Sequence, residues 1–131
     1  MYAVNEDIEL HVTTSDEPGI FGRVLGTLAN AGVNVRALYA YSEAAQGHFH
    51  LVTSDPVKAE GALKTLGYKV KSKKVVTCLV GDRIGAGAEI GALLGNAVID
   101  IRYSYGSASG DGKTLLVFQT SNNKKAFETL K

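Results

Sequence analysis

The chain has 131 residues, 45% of them hydrophobic, which allows one ordinary domain or two very small ones with a packed core. Fourteen Lys and Arg against thirteen Asp and Glu exclude a large electrostatic field that would attract nucleic acid or an anionic membrane. A single Cys, no basic leader and no stretch of about 18 apolar residues favour a cytoplasmic protein without disulfides or membrane insertion.

The chain opens with a predicted strand and an amphipathic helix. Apolar and polar residues alternate over residues 7–14, which is typical of a half-buried strand. Apolar residues then recur at helical spacing over residues 19–31. Pro18 fits the first turn of this helix, and Ser15 or Asp16 can cap it.

A hairpin, a second helix and a short strand follow. Alternation over residues 33–41 and 48–53 predicts two strands, with turn residues at Gln46-Gly47 between them. Asp55-Pro56 is a helix start, and residues 68–71 can form a fourth strand. The order βαββαβ predicts an α+β, ferredoxin-like module in which two helices cover one face of an antiparallel sheet.

The module is repeated along the chain. A shift of 66 positions aligns many identical or similar residues: Asp16 with Asp82, Gly19 with Gly85, Leu28 with Leu94, Asn30 with Asn96, Arg36 with Arg102 and Tyr39 with Tyr105. We therefore predict tandem modules at residues 1–72 and 73–131. The second is truncated and lacks its last strand, so that sheet edge either stays bare or is covered by the partner repeat, the N-terminal segment MYAVN or another subunit.

The run DEPGIFGRVLGTLANAGVNV resembles the signature of the ACT domain family, and SDPVKAEGALKTLGYKV continues the likeness. The resemblance covers nearly all of the first repeat and, more weakly, the second. It is closest to regulatory ACT modules of amino-acid biosynthetic enzymes and to short tandem ACT proteins that carry no enzyme. It implies two ACT modules that bind a free amino acid where modules meet.

In ligand-binding members of the family, the turn before the first helix and the Asn at the start of the second strand hold the ligand. These positions correspond here to Asp16, Glu17, Pro18, Gly19, Ile20 and Asn34. Backbone N–H groups at a helix start can receive a carboxylate, and we expect the helix to return Asn34 beneath the turn. The alternative is that Ser15 and Asp16 only cap the helix and Asn34 only closes a turn.

The second repeat departs from this pattern. Ile84 replaces Pro18, and Asp100 replaces Asn34. A carboxylate at that position repels a ligand carboxylate but suits an ammonium group. The second repeat is either a structural partner of the first or one half of a site with different polarity.

Three histidines form a possible metal site. His48 and His50 lie two apart on one strand, and His11 lies on its predicted neighbour, on the face opposite the core. A His-x-His pair suits zinc, nickel or copper. No fourth ligand is evident, so the other interpretation is a polar sheet surface or a subunit interface.

Sheet aromatics raise the possibility of nucleic-acid binding, because related four-stranded sheets stack bases on such rings. Strand parity places Tyr39 with Val33 and Val35, and Phe49 with Leu51. These rings are therefore expected in the helix-covered core. Together with the near-neutral charge, this argues against nucleic acid as a partner.

The segment GDRIGAGAEIGALLG is rich in glycine but has neither the Gly-Lys-Ser/Thr of a phosphate loop nor the dinucleotide spacing. Gly91 and Gly95 are expected instead to allow close packing against a neighbouring helix. No nucleophile elbow and no convincing acid–base pair is present, so we expect no enzyme activity and no cofactor.

The sequence thus favours a stand-alone regulatory or sensor protein that binds a free amino acid at an ACT module interface. A homodimer is expected, with a regulated enzyme or other protein as a possible partner. Two alternatives stay open: a ligand-free protein–protein interaction module, and a metal-binding regulator using His11, His48 and His50.

Overall fold

The structure is a computed structural model that describes residues 2–131. Over these residues the fold is α+β, with six strands and four helices. Their bounds, in chain order, are β1 Ala3–Ser15, α1 Ile20–Asn30, β2 Val35–Glu43, β3 Gln46–Thr53, α2 Pro56–Thr65, β4 Lys69–Gly81, α3 Ala86–Asn96, β5 Ile101–Ala108, β6 Lys113–Thr120 and α4 Asn123–Leu130.

Two strands are much longer than the repeat pattern predicts, because β1 and β4 each span 13 residues. The chain forms two compact units, Ile8–Lys73 and residues 2–7 with Lys74–Lys131, so each of these strands contributes one part to each unit. The strand order is β2-β3-β1-β4 in the first unit and β1-β4-β6-β5 in the second. The fourth strand of the first repeat and the first strand of the second are therefore one continuous strand.

The core of the first unit lies between its sheet and its two helices. Alternate residues of β1 and β3 meet the apolar stripe of α1 and one face of α2, as the period-2 and helical patterns predict. The buried residues are Leu10, Val12, Ile20, Val24, Leu28, Val33, Phe49, Leu51, Ala59, Leu63 and Val70. Asp55 caps α2 by accepting a hydrogen bond from the Lys58 N–H at 3.1 Å, as the Asp-Pro start predicts.

The second unit obtains a strand from the start of the chain. Tyr2 and Val4 pack against its core, which contains Ile90, Leu94 and Phe118. The Tyr2 N–H also donates to the Leu130 carbonyl at 3.0 Å. In the described chain no strand follows α4, and residues 3–7 of β1 lie in the sheet beside β4 instead.

The β2–β3 hairpin turns two residues earlier than the sequence suggests. Ala44 and Ala45 are its central residues, both with positive φ (54° and 62°), whereas Gln46 and Gly47 already belong to β3. Gly47 is required for packing, because a Cβ there would lie 2.5 Å from the Thr14 Oγ1 atom. The Gln-Gly pair was misread as a turn because the glycine serves this close approach instead.

Val98 has a strained backbone. Its φ is 59°, in the left-handed region that β-branched residues avoid, and its side chain is 87% exposed. Val98→Gly is therefore expected to raise the free energy of unfolding by roughly 0.5–1 kcal/mol. It relieves about 1–2 kcal/mol of strain, and the greater freedom of glycine in the unfolded chain offsets part of this gain. Urea denaturation measures the change.

The first repeat supplies the matched control for this prediction. Gly32 occupies the corresponding position, with φ 74°, and an added Cβ would meet only the Lys58 Nζ atom at 3.8 Å. Gly32→Val should cost about 1–2 kcal/mol through backbone strain alone. Equal stability of all three proteins would contradict this explanation.

Candidate functional site

The turn between β1 and α1 is built around Gly19. This residue is the N-cap of α1 and has φ 89°, a conformation that glycine adopts without strain. Within residues 2–131 no side chain caps the helix, so the predicted capping by Ser15 or Asp16 is wrong. Pro18 lies in the turn and not within the helix, because Gly19 intervenes. Asp16, Glu17 and Pro18 are all exposed, and Ile20 is buried in the core.

The start of α1 leaves backbone donors available. The Ile20 N–H donates to the Glu17 carbonyl at 3.2 Å, and the Arg23 N–H donates to the Gly19 carbonyl at 3.0 Å. Within residues 2–131 the N–H groups of Phe21 and Gly22 have no acceptor. Two donors at the positive end of the helix dipole can receive an anionic group.

Asn34 lies at the opposite end of the sheet from this turn. Its N–H donates to the Ser54 Oγ atom at 2.9 Å, and its main-chain carbonyl accepts from the Ser54 N–H at 2.9 Å. Ser15, by contrast, pairs with Gln46 at the other end of β3. β3 has eight residues, so about 26 Å separates the two ends.

The expectation that α1 returns Asn34 beneath the turn therefore differs from the structure. An α-helix between two strands carries the chain to the far end of the sheet, so Asn34 begins β2 where the turn is most distant. Its main-chain groups bond Ser54, and in the described chain its side-chain carboxamide makes no hydrogen bond. One unit does not bring all the predicted site residues together.

An ion pair spans the turn in the first repeat. The Arg23 Nη1 and Glu17 Oε1 atoms are 2.9 Å apart, with both side chains about half exposed. In the second repeat the corresponding pair is Arg83 and Glu89, whose Nη2 and Oε2 atoms are 2.7 Å apart. The contact is the same but the charges are reversed. The first turn of α1 thus carries a cation, whereas that of α3 carries an anion.

The carboxylate at the start of α3 is held firmly in its ionised form. The Tyr2 hydroxyl and the Arg83 guanidinium both donate to Glu89. These hydrogen bonds lower the pKa of Glu89, with the Tyr2 bond the largest cause and Arg83 the next. Since Glu89 already places a negative charge in the first turn of α3, a second anion is disfavoured there.

Asp100 repeats the geometry of Asn34 with a different group. Its N–H donates to the Ser121 Oγ atom at 3.0 Å, and its carbonyl accepts from the Ser121 N–H at 2.9 Å. The second repeat therefore preserves the backbone of the first. The changes that bear on ligand chemistry are in its side chains.

The three histidines do lie together on the face of the first sheet away from the helices. The His11 Nε2 and His48 Nδ1 atoms are 3.0 Å apart, and the His11 and His50 rings stack with centroids 4.4 Å apart. Stacked rings direct their nitrogen lone pairs alongside one another and not to a common point. In the described part of the chain, no group of three or more His, Cys, Asp or Glu is arranged to hold a metal ion.

The same rings surround a buried carboxylate. The His50 Nδ1 atom lies 3.1 Å from the Glu9 Oε1 atom, and both side chains are buried. Burial lowers the pKa of His11 to about 4, with further lowering by His50, Lys73 and His48. His11 is therefore neutral at physiological pH.

Tyr39 and Tyr41 join the histidines, contrary to the parity argument from the sequence. Tyr39 stacks on His50 and Tyr41 on His48, with ring centroids 5.3 Å and 5.0 Å apart. The strand register shifts between Val35 and Ala37, and such a bulge reverses the face of every residue that follows. Phe49 is in the core as predicted.

The glycines of α3 do not make the close contacts expected of them. A Cβ added at Gly91 or Gly95 would meet nothing within 4 Å in the described chain. They lie on the exposed side of the helix, whose buried side is formed by Ala86, Ile90 and Leu94. Close packing between helices therefore does not explain why glycine occupies these two positions.

Arg23 is the residue at the turn that the sequence reasoning missed. The signal was present in the 66-residue shift, which aligns Glu17 with Arg83 and Arg23 with Glu89. Matching identical or similar residues 66 positions apart does not reveal this reversal of charge. A reversed pair at one offset predicts a contact between its members, because each exchange preserves the attraction.

Two units, each with a pair of helices and antiparallel strands, define a tandem ferredoxin-like protein. A family model described as an ACT domain pair matches residues 7–131, and the chain belongs to this family. No curated protein matches the chain. Within residues 2–131, none of the helices is long and apolar enough to cross a membrane.

Several solved structures share the fold. Protein BT0572 from Bacteroides thetaiotaomicron is 28% identical, with a TM-score of 0.88 over 97% of this chain and 88% of that chain. The ligand-free regulatory subunit of aspartate kinase from Thermus thermophilus is 15% identical, with a TM-score of 0.69 over 98% and 93%. The regulatory subunit of aspartate kinase from Thermus flavus is 16% identical, with a TM-score of 0.61 over 98% of this chain and 93% of that chain.

Proposed function

We propose that the chain is a regulatory protein without enzyme activity that binds a free amino acid at an interface between ACT modules. The ligand-binding residues are Asp16, Glu17, Pro18, Gly19, Ile20 and Asn34, with Arg23 as an addition. Membership of the ACT domain pair family supports this proposal. A regulatory role has a precedent in the regulatory subunits of aspartate kinase, which have the same fold.

The turn suits the two charged ends of an amino acid. The free N–H groups of Phe21 and Gly22 receive the α-carboxylate at the positive end of α1. The exposed Asp16 carboxylate accepts from the α-ammonium. Gly19 has no side chain, so a ligand can approach the backbone closely.

The observation that carries the proposal is the reversed ion pair. Arg23 places a positive charge in the first turn of α1, where it attracts a carboxylate, whereas Glu89 places a negative charge in α3. The same backbone therefore favours an anionic group in the first repeat and disfavours it in the second. Ligand binding belongs to the first repeat, and the second is its structural partner.

Asn34 contributes to this site from a second copy of the chain. β2 is an edge strand, and a twofold axis that pairs two β2 strands antiparallel brings the start of one strand beside the end of the other. The carboxamide of Asn34 then meets the turn of the partner copy and can donate to the ligand. Each homodimer contains two such sites.

Binding at a shared site gives the protein a means of regulation. A ligand held by two copies favours the arrangement in which both contact it, by the difference in its affinity for the two arrangements. A regulated enzyme or other protein that recognises one arrangement then responds to the amino acid.

A thermal-shift screen of the twenty amino acids tests the proposal. A ligand at a hundred times its dissociation constant should stabilise the folded protein by about 2.7 kcal/mol. Asn34→Ala should remove the shift, because the partner contact is lost. Absence of a shift with every amino acid, in protein shown to be folded by circular dichroism, would refute amino-acid binding.

A ligand-free interaction module is the second candidate, favoured by the surface of the second repeat. Ile84 is fully exposed, and Val98 is 87% exposed at the other end of α3. Between them the exposed side of α3 consists largely of Gly and Ala, which present little polar surface. Substitutions at Ile84 and Val98 that change the mass in analytical ultracentrifugation, without any amino-acid effect, would support this candidate.

A further inference from the structure

A groove of about 580 Å³ opens at the end of the first unit that carries the β1–α1 turn. Three segments line it: the end of β1, the start of β3 at the β2–β3 hairpin, and the connection from α2 to β4. All the lining residues belong to Ile8–Lys73, so the groove is a feature of one unit. Its volume lies within the range of small-molecule sites.

The groove has the chemistry of an anion site. Among the residues that line the groove, Lys69 is the only basic one and none is acidic. Within the described chain, no carboxylate is paired with the Lys69 ammonium. The Ser15 hydroxyl and the Gln46 carboxamide add hydrogen-bond donors beside it. Leu66, 45% exposed, provides apolar surface for methylene groups.

The groove borders, along the chain, the turn proposed to hold the amino acid. Ser15 lines the groove, and the next residue is Asp16, assigned to the ligand ammonium. Consecutive Cα atoms are about 3.8 Å apart, so a ligand fixed at the turn can reach the groove with a side chain of a few atoms.

We propose that this groove receives the side chain of the bound amino acid and that the ligand is an acidic amino acid, aspartate or glutamate, whose side-chain carboxylate pairs with Lys69. The inference rests on the proposed function and adds the class of ligand. Each of the ligand's three charged groups then meets a complementary group. The α-carboxylate binds at the start of α1, the ammonium group binds Asp16, and the side-chain carboxylate pairs with Lys69.

Isothermal titration calorimetry tests the inference. It compares the affinities of aspartate and glutamate with those of their neutral isosteres, asparagine and glutamine. The acidic member of each pair should bind roughly tenfold more tightly, since one charge-assisted contact is worth about 1.4 kcal/mol. Lys69→Gln should abolish this preference. Lys71→Gln is the matched control, because Lys71 is exposed on the same face of β4 and does not line the groove.

The outcomes separate this inference from the proposed function. An acidic preference that is lost in Lys69→Gln and kept in Lys71→Gln supports it. Tight binding of a neutral amino acid, or an acidic preference that survives Lys69→Gln, overturns it and leaves amino-acid binding intact. No binding by any of the twenty amino acids overturns both.

Discussion

The double variant E17R/R23E is expected to lose amino-acid binding while remaining folded. It keeps the ion pair across the turn but reverses it, so the first turn of α1 acquires the polarity that Arg83 and Glu89 have in the second repeat. A carboxylate near the free N–H groups of α1 repels the ligand carboxylate. The stabilisation of about 2.7 kcal/mol expected at a hundred times the dissociation constant should fall to near zero.

The second repeat provides the matched control. R83E/E89R makes the same exchange at positions whose backbone geometry is equivalent, and both members of this pair are about half exposed. Binding to the first repeat should be unchanged in this variant. If both double variants lose binding equally, the effect is a loss of folded structure and not of local charge. Unfolding curves without ligand distinguish these cases, since an exposed pair contributes at most about 1 kcal/mol.

Mixing two defective variants tests whether the site is shared between copies. Asn34→Ala lacks the amide, and E17R/R23E lacks the turn, so neither homodimer has a complete site. A heterodimer has one complete site, built from the turn of the first variant and the Asn34 of the second. Mixing followed by refolding should restore a ligand-induced shift, and no restoration would mean that one copy supplies both groups.

Acidification is expected to destabilise the protein through His11. The folded state holds the pKa of His11 at about 4, below its ordinary value of 6.5, chiefly because burial disfavours the charged ring. Above pH 6.5 the ring is neutral in both states, and its contribution to stability is complete. As the pH falls from 6.5 towards 4, only the unfolded chain takes up the proton, so stability is lost; below about pH 4 both states are protonated and this loss stops.

Urea denaturation between pH 4 and pH 7 measures this effect. The change in pKa corresponds to about 3 kcal/mol, and solvent screening at this partly exposed ring reduces it to about 1–2 kcal/mol. His11→Gln should show a correspondingly smaller loss of stability over the same interval. Parallel curves for the two proteins would show that other groups cause the acid sensitivity.

The repeated fold could be predicted because its signals are local. Alternation marks β1 and β3, the Asp-Pro start marks α2, and a single offset reveals the second module. The long strands could not be predicted in the same way. Nothing local distinguishes a strand that ends at residue 71 from one that continues into the next repeat, since the choice depends on which neighbours pair with it.

The residues of the proposed site stay a prediction, and their arrangement in space could not be predicted from the sequence. The turn and Asn34 follow from a family likeness, whereas their separation by the length of β3 follows from strand register, which only long-range pairing determines. The faces of Tyr39 and Tyr41 were wrong for a related reason. One bulged residue near Ala37 reverses the parity of the strand, and no residue type there signals a bulge.

The division of β1 between the two units has a consequence for how the chain folds. The residues around Val4 precede the whole first unit in the chain, yet they belong to the unit that contains α4, where the Tyr2 N–H meets the Leu130 carbonyl. The first unit can assemble once Lys73 is available, whereas residues 3–7 can pair only after β4 has been made, and Tyr2 can meet Leu130 only after α4 has been made. Contacts of such large sequence separation form late and slowly. The order in which the units mature is thus the order of the repeats, although residues 3–7, which precede the first unit in the chain, contribute to the second.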